Sequence, residues 1–228
     1  MSARPGHGDL SPAREVVWDI ATRAAQSGGT LESLKGDQLM DKVRCFGAGD
    51  ELYQAYHDEE WGRPVPDSPD EAALFERLCL EGFQAGLSWL TILRKREAFR
   101  AAFARFRPAA VAEFGDEDVE RLMGDAGIVR NRAKITAAMD NARALLDMHD
   151  KGLRLADLVA EYAPEPREHP PLTFADVPAQ TPGTVALSKD LKKRGFRFVG
   201  PTTLYALMQA VGLADDHIQG CWLARPPA

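Results

Sequence analysis

Asp216 to Cys221 reads DHIQGC, a His and a Cys four residues apart in a chain that has three cysteines and five histidines. On a helix this spacing would bring both side chains to one face, as two ligands of one ion require. Cys45 and His57 offer a second pair, in RCFGAGDELYQAYH. Two thiolates balance the charge of a zinc ion, and four protein ligands leave no open position, so a site of Cys45, His57, His217 and Cys221 would be structural. The spacing matches no compact zinc-finger pattern, and taken alone it favours four residues packed separately. Cys79, followed by Leu80 in an amphipathic stretch, reads as a small buried hydrophobe.

A second cluster is LEGFQAGLSW, Leu80 to Trp89, where Glu81 stands in a run of apolar and small residues. A carboxylate beside an aromatic suits recognition of a cation. By itself the cluster fits a solvated Glu and a core Trp. Phe46, Tyr53, Tyr56 and Trp61 crowd the segment around His57, and with Trp89 they could line a flat pocket for a heterocycle. A third stretch, DVERLMGDAGIVRNRAKI, reads as a helix, a hairpin at Gly127 and a second helix opening with Arg130, Arg132 and Lys134. Amides at a helix start with flanking cations suit a phosphate, although a solvated basic first turn is the ordinary alternative. Arg94, Lys95 and Arg96, and then Lys189, Lys192, Lys193, Arg194 and Arg197, add to a basic face in a chain of net charge -6.

The elements that must hold these residues are helical. Ser68 and Pro69 open an amphipathic pattern carrying Leu74, Leu78, Leu80 and Phe83; helices follow over SWLTILRKREAFRAAFARF, PAAVAEF, DEDVERLMGDAG, NRAKITAAMDNARALLDMHDKG, VALSKDLKKRGF and GPTTLYALMQAVGL. Strand signals are nearly absent, and residues 163–184 carry six prolines, too many for a helix. The expected architecture is an all-α bundle of about seven helices over residues 41–228. Residues 1–40 form an N-terminal extension with one short helix after Ser11 and Pro12. No apolar run reaches the ~20 residues of a membrane span, no secretory signal opens the chain, and an odd number of cysteines fits a reducing compartment, so the cytoplasm is expected.

Taken together, AYHDEEWG, LCLEGFQAGLSWLTILRKRE, DAGIVRNRAKI, LSKDLKKRGFRFVG and DHIQGC resemble the DNA-3-methyladenine glycosylase I family of helix-hairpin-helix base-excision repair enzymes. The resemblance spans about Val43 to Trp222. It implies an all-α, helix-hairpin-helix DNA glycosylase-like bundle in which one structural zinc, held by Cys45, His57, His217 and Cys221, joins the N- and C-terminal segments. It implies Glu81 as the catalytic carboxylate, with Phe46, Tyr53, Tyr56 and Trp89 holding the base. Gly86 and Leu87 would plug the gap left in DNA, and Gly127, Arg130, Arg132 and Lys134 would meet phosphates. The implied activity is monofunctional hydrolysis of the N-glycosidic bond of 3-methyladenine in double-stranded alkylated DNA, leaving an abasic site, by a monomer. Phe46 stands where the family commonly has Trp, and Phe83 where a second Gln often stands, which opens a broader N3-alkylpurine scope as an alternative. A non-catalytic, zinc-stabilised damaged-DNA-binding module is the other. Asp140 and Asp147, in the helix after the hairpin, read as surface residues.

Overall fold

A computed structural model of the protein describes residues 42–225, so the extension and its expected short helix lie outside the described residues. All regular structure among the described residues is helical. Nine α-helices follow in order: α1 Glu51–Glu59, α2 Ala72–Gln84, α3 Trp89–Ala102, α4 Pro108–Ala112, α5 Asp116–Gly124, α6 Arg132–Asp150, α7 Leu155–Glu161, α8 Pro182–Lys193 and α9 Pro201–Ala210. Short 3-10 turns occupy Ala104–Phe106 and Phe174–Asp176. Residues 163–181 otherwise form the irregular, proline-rich connection that their composition implies. No helix among the described residues is long and apolar enough to cross a membrane.

Two helices, α1 and α7, exceed the sequence reading, each for a physical reason. In α1 only Tyr56 and His57 are buried, so it carries almost no apolar periodicity; its start is fixed locally by Asp50, whose carboxylate accepts from Tyr53 N. The cap of α7 comes from far away, where the buried Glu71 carboxylate accepts from Leu155 N at 2.8 Å and Ala156 N at 2.7 Å. A third departure concerns DHIQGC, which is not helical: residues 215–225 are loop and turn. His217 and Cys221 are brought together instead by a tight turn, closed by Cys221 N donating to Ile218 O at 3.0 Å, with Gly220 at φ +86°.

Helix α2 runs through the core and is packed by α3, α6 and α9. Every residue from Leu74 to Phe83 is buried, including the charged Glu76, Arg77 and Glu81. A buried charge is costly unless it is bonded. Glu76 accepts from Arg100 Nε at 2.9 Å, and Arg77 donates to Glu60. Glu81 has no hydrogen-bonding partner among the described residues. Phe83, Phe99, Phe103 and Phe106 pack ring to ring beside this helix.

Helices α5 and α6 with the turn 125–131 make the expected hairpin. Asn131 caps α6 by accepting from Lys134 N at 3.1 Å. The turn seats on α3 at Gly127, where a Cβ would lie 2.9 Å from Ala98 Cβ and 2.9 Å from Asp125 Oδ1. Gly127→Ala should therefore destabilise the protein by about 1–3 kcal/mol through overpacking. A urea midpoint unchanged from wild type would show that the hairpin is not seated this tightly.

Candidate metal centre and base pocket

Cys45 on the entry loop, His57 on α1, and His217 and Cys221 on the last turn present ligand atoms that all lie within 4.8 Å of one another. Cys45 Sγ is 3.4 Å from His217 Nδ1, Cys221 Sγ is 3.4 Å from His57 Nε2, and Cys221 Sγ is 3.6 Å from His217 Nδ1. Metal–sulfur bonds of about 2.3 Å and metal–nitrogen bonds of about 2.0–2.1 Å put S and N about 3.5 Å apart across a tetrahedral angle. Three of the six separations thus match those of a tetrahedral site, and all four groups are close enough together to hold one such ion.

The surroundings prepare each ligand. His57 Nδ1 donates to Asp58 at 2.8 Å, which leaves Nε2 as the unprotonated nitrogen on the cluster side, where it accepts from Cys45 N at 3.3 Å. Asp58 also receives Arg44 Nη2 at 2.7 Å and Trp222 Nε1 at 3.1 Å. Burial alone would raise its pKa, but these donors outweigh that effect and hold it well below the usual carboxylate range. Ile218 N donates to Cys45 Sγ at 3.3 Å and Leu223 N to Cys221 Sγ at 3.5 Å, bonds that favour thiolates. Burial lowers the His217 pKa to about 4, so its ring is neutral at pH 7, as a metal ligand must be. Burial also raises the Cys45 thiol to about 12, so metal uptake must displace its proton.

Asp216 anchors the turn behind these ligands. Fully buried, it accepts from Tyr205 Oη at 2.6 Å, Gln209 Nε2 at 2.9 Å and Arg167 Nε at 2.8 Å. Trp61 lies edge-on both to His217, ring centres 4.6 Å apart, and to Phe46, at 5.1 Å, so it stands between the metal cluster and the aromatic group beside it.

That aromatic group is assembled from the entry loop and the helices α1 and α3. Tyr53 and Tyr56 of α1 stack with ring centres 6.5 Å apart, Trp89 at the start of α3 is 5.4 Å from Tyr56, and Phe46 is 4.6 Å from Tyr53. Glu81 of α2 is 5% exposed, and its charge acts on both Tyr53 and Tyr56, raising the pKa of each in addition to the larger effect of burial. Burial pushes its carboxyl up to about 8, opposed only in part by Arg77. Trp89 Nε1 and Arg77 Nη1 are likewise buried without a partner. Buried polar groups are nearly always bonded, so these two atoms and the unbonded Glu81 carboxyl leave hydrogen bonds that a ligand can supply. An unpaired carboxyl among π-faces suits a flat, cationic heterocycle.

Beyond Glu81 the chain turns outward at 85–88, all exposed. Gly86 has φ +85° with nothing within 4 Å of a Cβ, and Leu87 is 42% exposed. The turn is firm: Leu87 N donates to Gln84 O at 2.6 Å, and Ser88 caps α3 by accepting from Thr91 N at 3.2 Å.

A model of the methyladenine glycosylase family matches residues 46–224. The chain belongs to the methyladenine glycosylase family. It is similar to DNA-3-methyladenine glycosylase 1 of Escherichia coli (strain K12), 52% identical over 180 residues, which cover 78% of this chain and 95% of that protein. With the DNA-3-methyladenine glycosylase of Haemophilus influenzae the identity is 45%, covering 78% and 96%. A crystal structure of a 3-methyladenine DNA glycosylase I aligns with TM-score 0.75 at 48% identity, over 80% of this chain and 100% of that one. The Staphylococcus aureus enzyme, solved for its recognition of 3-methyladenine, aligns with TM-score 0.72 at 37% identity, over 80% and 96%.

Within this methyladenine glycosylase fold, several expected residues stand elsewhere than the sequence suggested. Phe83, where the family pattern often has Gln, is 1% exposed and packs on Phe99 with ring centres 4.7 Å apart. Phe46 does stay with the aromatic group. Lys134 departs from the expected phosphate contact, because its side chain is buried and donates to Phe83 O at 2.9 Å and Ala85 O at 2.5 Å. Arg130 and Arg132 are exposed, the latter 2.9 Å from Glu120 in a surface pair worth little against a phosphate. Gly127 N donates to Asp125 Oδ1 at 2.7 Å.

The basic face is also narrower than its sequence clusters imply. Arg94 pairs with Asp50, Arg96 with Glu60, and Lys95 bonds Ala126 O and Gly127 O, so this triplet braces the fold. Lys189, Lys192 and Lys193 remain exposed. Asp147 is exposed, as expected, whereas Asp140 is half-buried and pairs with Arg197 at 2.8 Å. Arg77 is the residue that sequence reasoning missed. Its position four residues before Glu81 on one helix face was the available signal.

Proposed function

We propose that the chain is a monofunctional DNA N-glycosylase that releases 3-methyladenine from alkylated double-stranded DNA and leaves an abasic site for base-excision repair. The observation that carries this reading is Glu81, a buried carboxyl without a partner, ringed by Tyr53, Tyr56 and Trp89 on the fold of this family. Adenine methylated at N3 is cationic, so cleavage of its glycosidic bond expels a neutral base and needs little acid catalysis. The protein's task is to extract and hold that base. A base within a duplex must be flipped out, at a cost of a few kcal/mol. Leu87, projecting from the Gly86 turn, offsets part of this cost by filling the vacated stack. The extracted base slides between the aromatic rings, where cation–π attraction contributes about 1–2 kcal/mol. As the cationic base arrives, Glu81 gives up its proton to solvent, and the resulting carboxylate pairs with the base and accepts from its amino edge. Arg130 and Arg132, which flank the Gly127 hairpin, supply phosphate contacts that fix the register.

The ion for the tetrahedral cluster is zinc in this reading, one per chain. Two thiolates and two neutral imidazoles make a closed set, and the chemistry such an ion supplies is structural. It clasps the entry loop and α1 to the last turn, which keeps Phe46, Tyr53 and Tyr56 opposite Glu81. The reading takes the protein as a monomer acting in the cytoplasm.

Phe46 is the one departure left within the aromatic group, and it motivates a wider N3-alkylpurine scope. Release of 3-methyladenine, 7-methylguanine and a bulkier N3 adduct should be compared on one preparation. The expected result is release of 3-methyladenine in clear excess; comparable release of the bulkier adduct favours the wider scope.

A further inference from the structure

We propose that Lys134 is a positioning residue that ties the wedge turn to the hairpin, so that docking on the DNA backbone and filling of the vacated stack occur as one rigid event. The inference rests on the glycosylase reading above. Lys134 is the third residue of α6, the helix that begins at the hairpin, yet its ammonium reaches the far end of α2, where it bonds Phe83 O at 2.9 Å and Ala85 O at 2.5 Å. Those carbonyls lie between Glu81 and Gly86, so one side chain fixes the stretch of backbone that joins the base pocket to the wedge. Carbonyls at a helix C-terminus carry partial negative charge and would repel a nearby phosphate; an ammonium placed on them removes that repulsion.

Burying an ammonium is unfavourable unless it is bonded, and the small cavity that Lys134 lines with Leu78, Phe83, Ala137 and Ala138 offers one polar side chain besides, Asn141, which is bonded to Arg197. The charge is therefore there for the two carbonyls. A second tie runs the other way: Lys95 of α3 bonds Ala126 O and Gly127 O of the hairpin. The hairpin, the wedge turn and α3 are thus cross-braced by two lysines.

The test compares Lys134→Met and Lys134→Arg with wild type, measuring kcat and KM for release of 3-methyladenine from methylated duplex and from methylated single strands. A single strand has no stack to fill. The expected result for Lys134→Met is at least a tenfold loss of kcat on duplex, with KM and single-strand turnover within twofold of wild type, and partial rescue by Lys134→Arg. Equal loss on both substrates, or no loss on duplex, would overturn the proposal. Where Lys134→Met does not fold, Lys134→Arg decides: a duplex-to-single-strand ratio that falls at least threefold supports the tie, and an unchanged ratio removes it. Wild-type protein inactive on both substrates overturns the glycosylase reading and this inference with it, whereas equal loss overturns the inference alone.

Discussion

Glu81→Gln is expected to weaken base release about 10- to 100-fold while making the protein more stable at neutral and alkaline pH. The loss follows from removing one charge-assisted contact, worth about 1.5–3 kcal/mol. The gain in stability follows from burial. In the folded protein the Glu81 carboxyl titrates near 8, far above its ordinary value of 4.5. Between those values the folded state holds a proton that the unfolded state has lost, so stability falls as pH rises through this window. Glutamine carries no such penalty. The difference in Tm between Glu81→Gln and wild type should therefore be near zero at pH 4.5, grow towards pH 8 and level off above it. A variant no more stable than wild type at pH 8 would mean that the carboxyl is bonded in the free protein. Unchanged base release would remove Glu81 from the mechanism.

Cys221→Ser is expected to lower Tm by about 10–20 °C and to abolish stoichiometric zinc. The ligands span Cys45 to Cys221, nearly the whole glycosylase region. A crosslink of that loop, treated like a disulfide, contributes about 5 kcal/mol by restricting the unfolded chain. For a domain of this size each kcal/mol moves Tm by about 2–4 °C. Removing the metal from wild type with a strong chelator should reproduce most of the drop, and added zinc should restore it. Chelation that leaves Tm unchanged would show that the four residues pack without an ion. The Glu81 and Cys221 substitutions thus act in opposite directions on stability, because one relieves a buried charge and the other opens the clasp.

The helical bundle was legible in the sequence wherever apolar spacing was strong, as in α2, α3 and α6. It was not legible in α1, whose exposed faces are polar, or in α7, whose cap is Glu71 from more than eighty positions upstream. The ligand set was named from residue types and the family resemblance, but the helical spacing offered for His217 and Cys221 was a wrong reason: a turn at Gly220 does the work. Lys134 shows the same limit. A lysine in the first turn of a hairpin helix reads as a phosphate contact, and only the fold reveals that it points to two carbonyls of another helix. Arg77 was overlooked because it sits in an apolar run, although its spacing from Glu81 matches one helix face. Long-range pairing of polar groups leaves little local trace in a sequence, and these residues were misread or missed for that reason.

The most direct test is release of base from DNA. Purified protein with its metal content measured would be incubated with methylated duplex DNA, and the supernatant chromatographed for free purines. The account predicts free 3-methyladenine and an equal number of abasic sites; DNA binding with no released base would contradict it and leave a damage-binding module in its place.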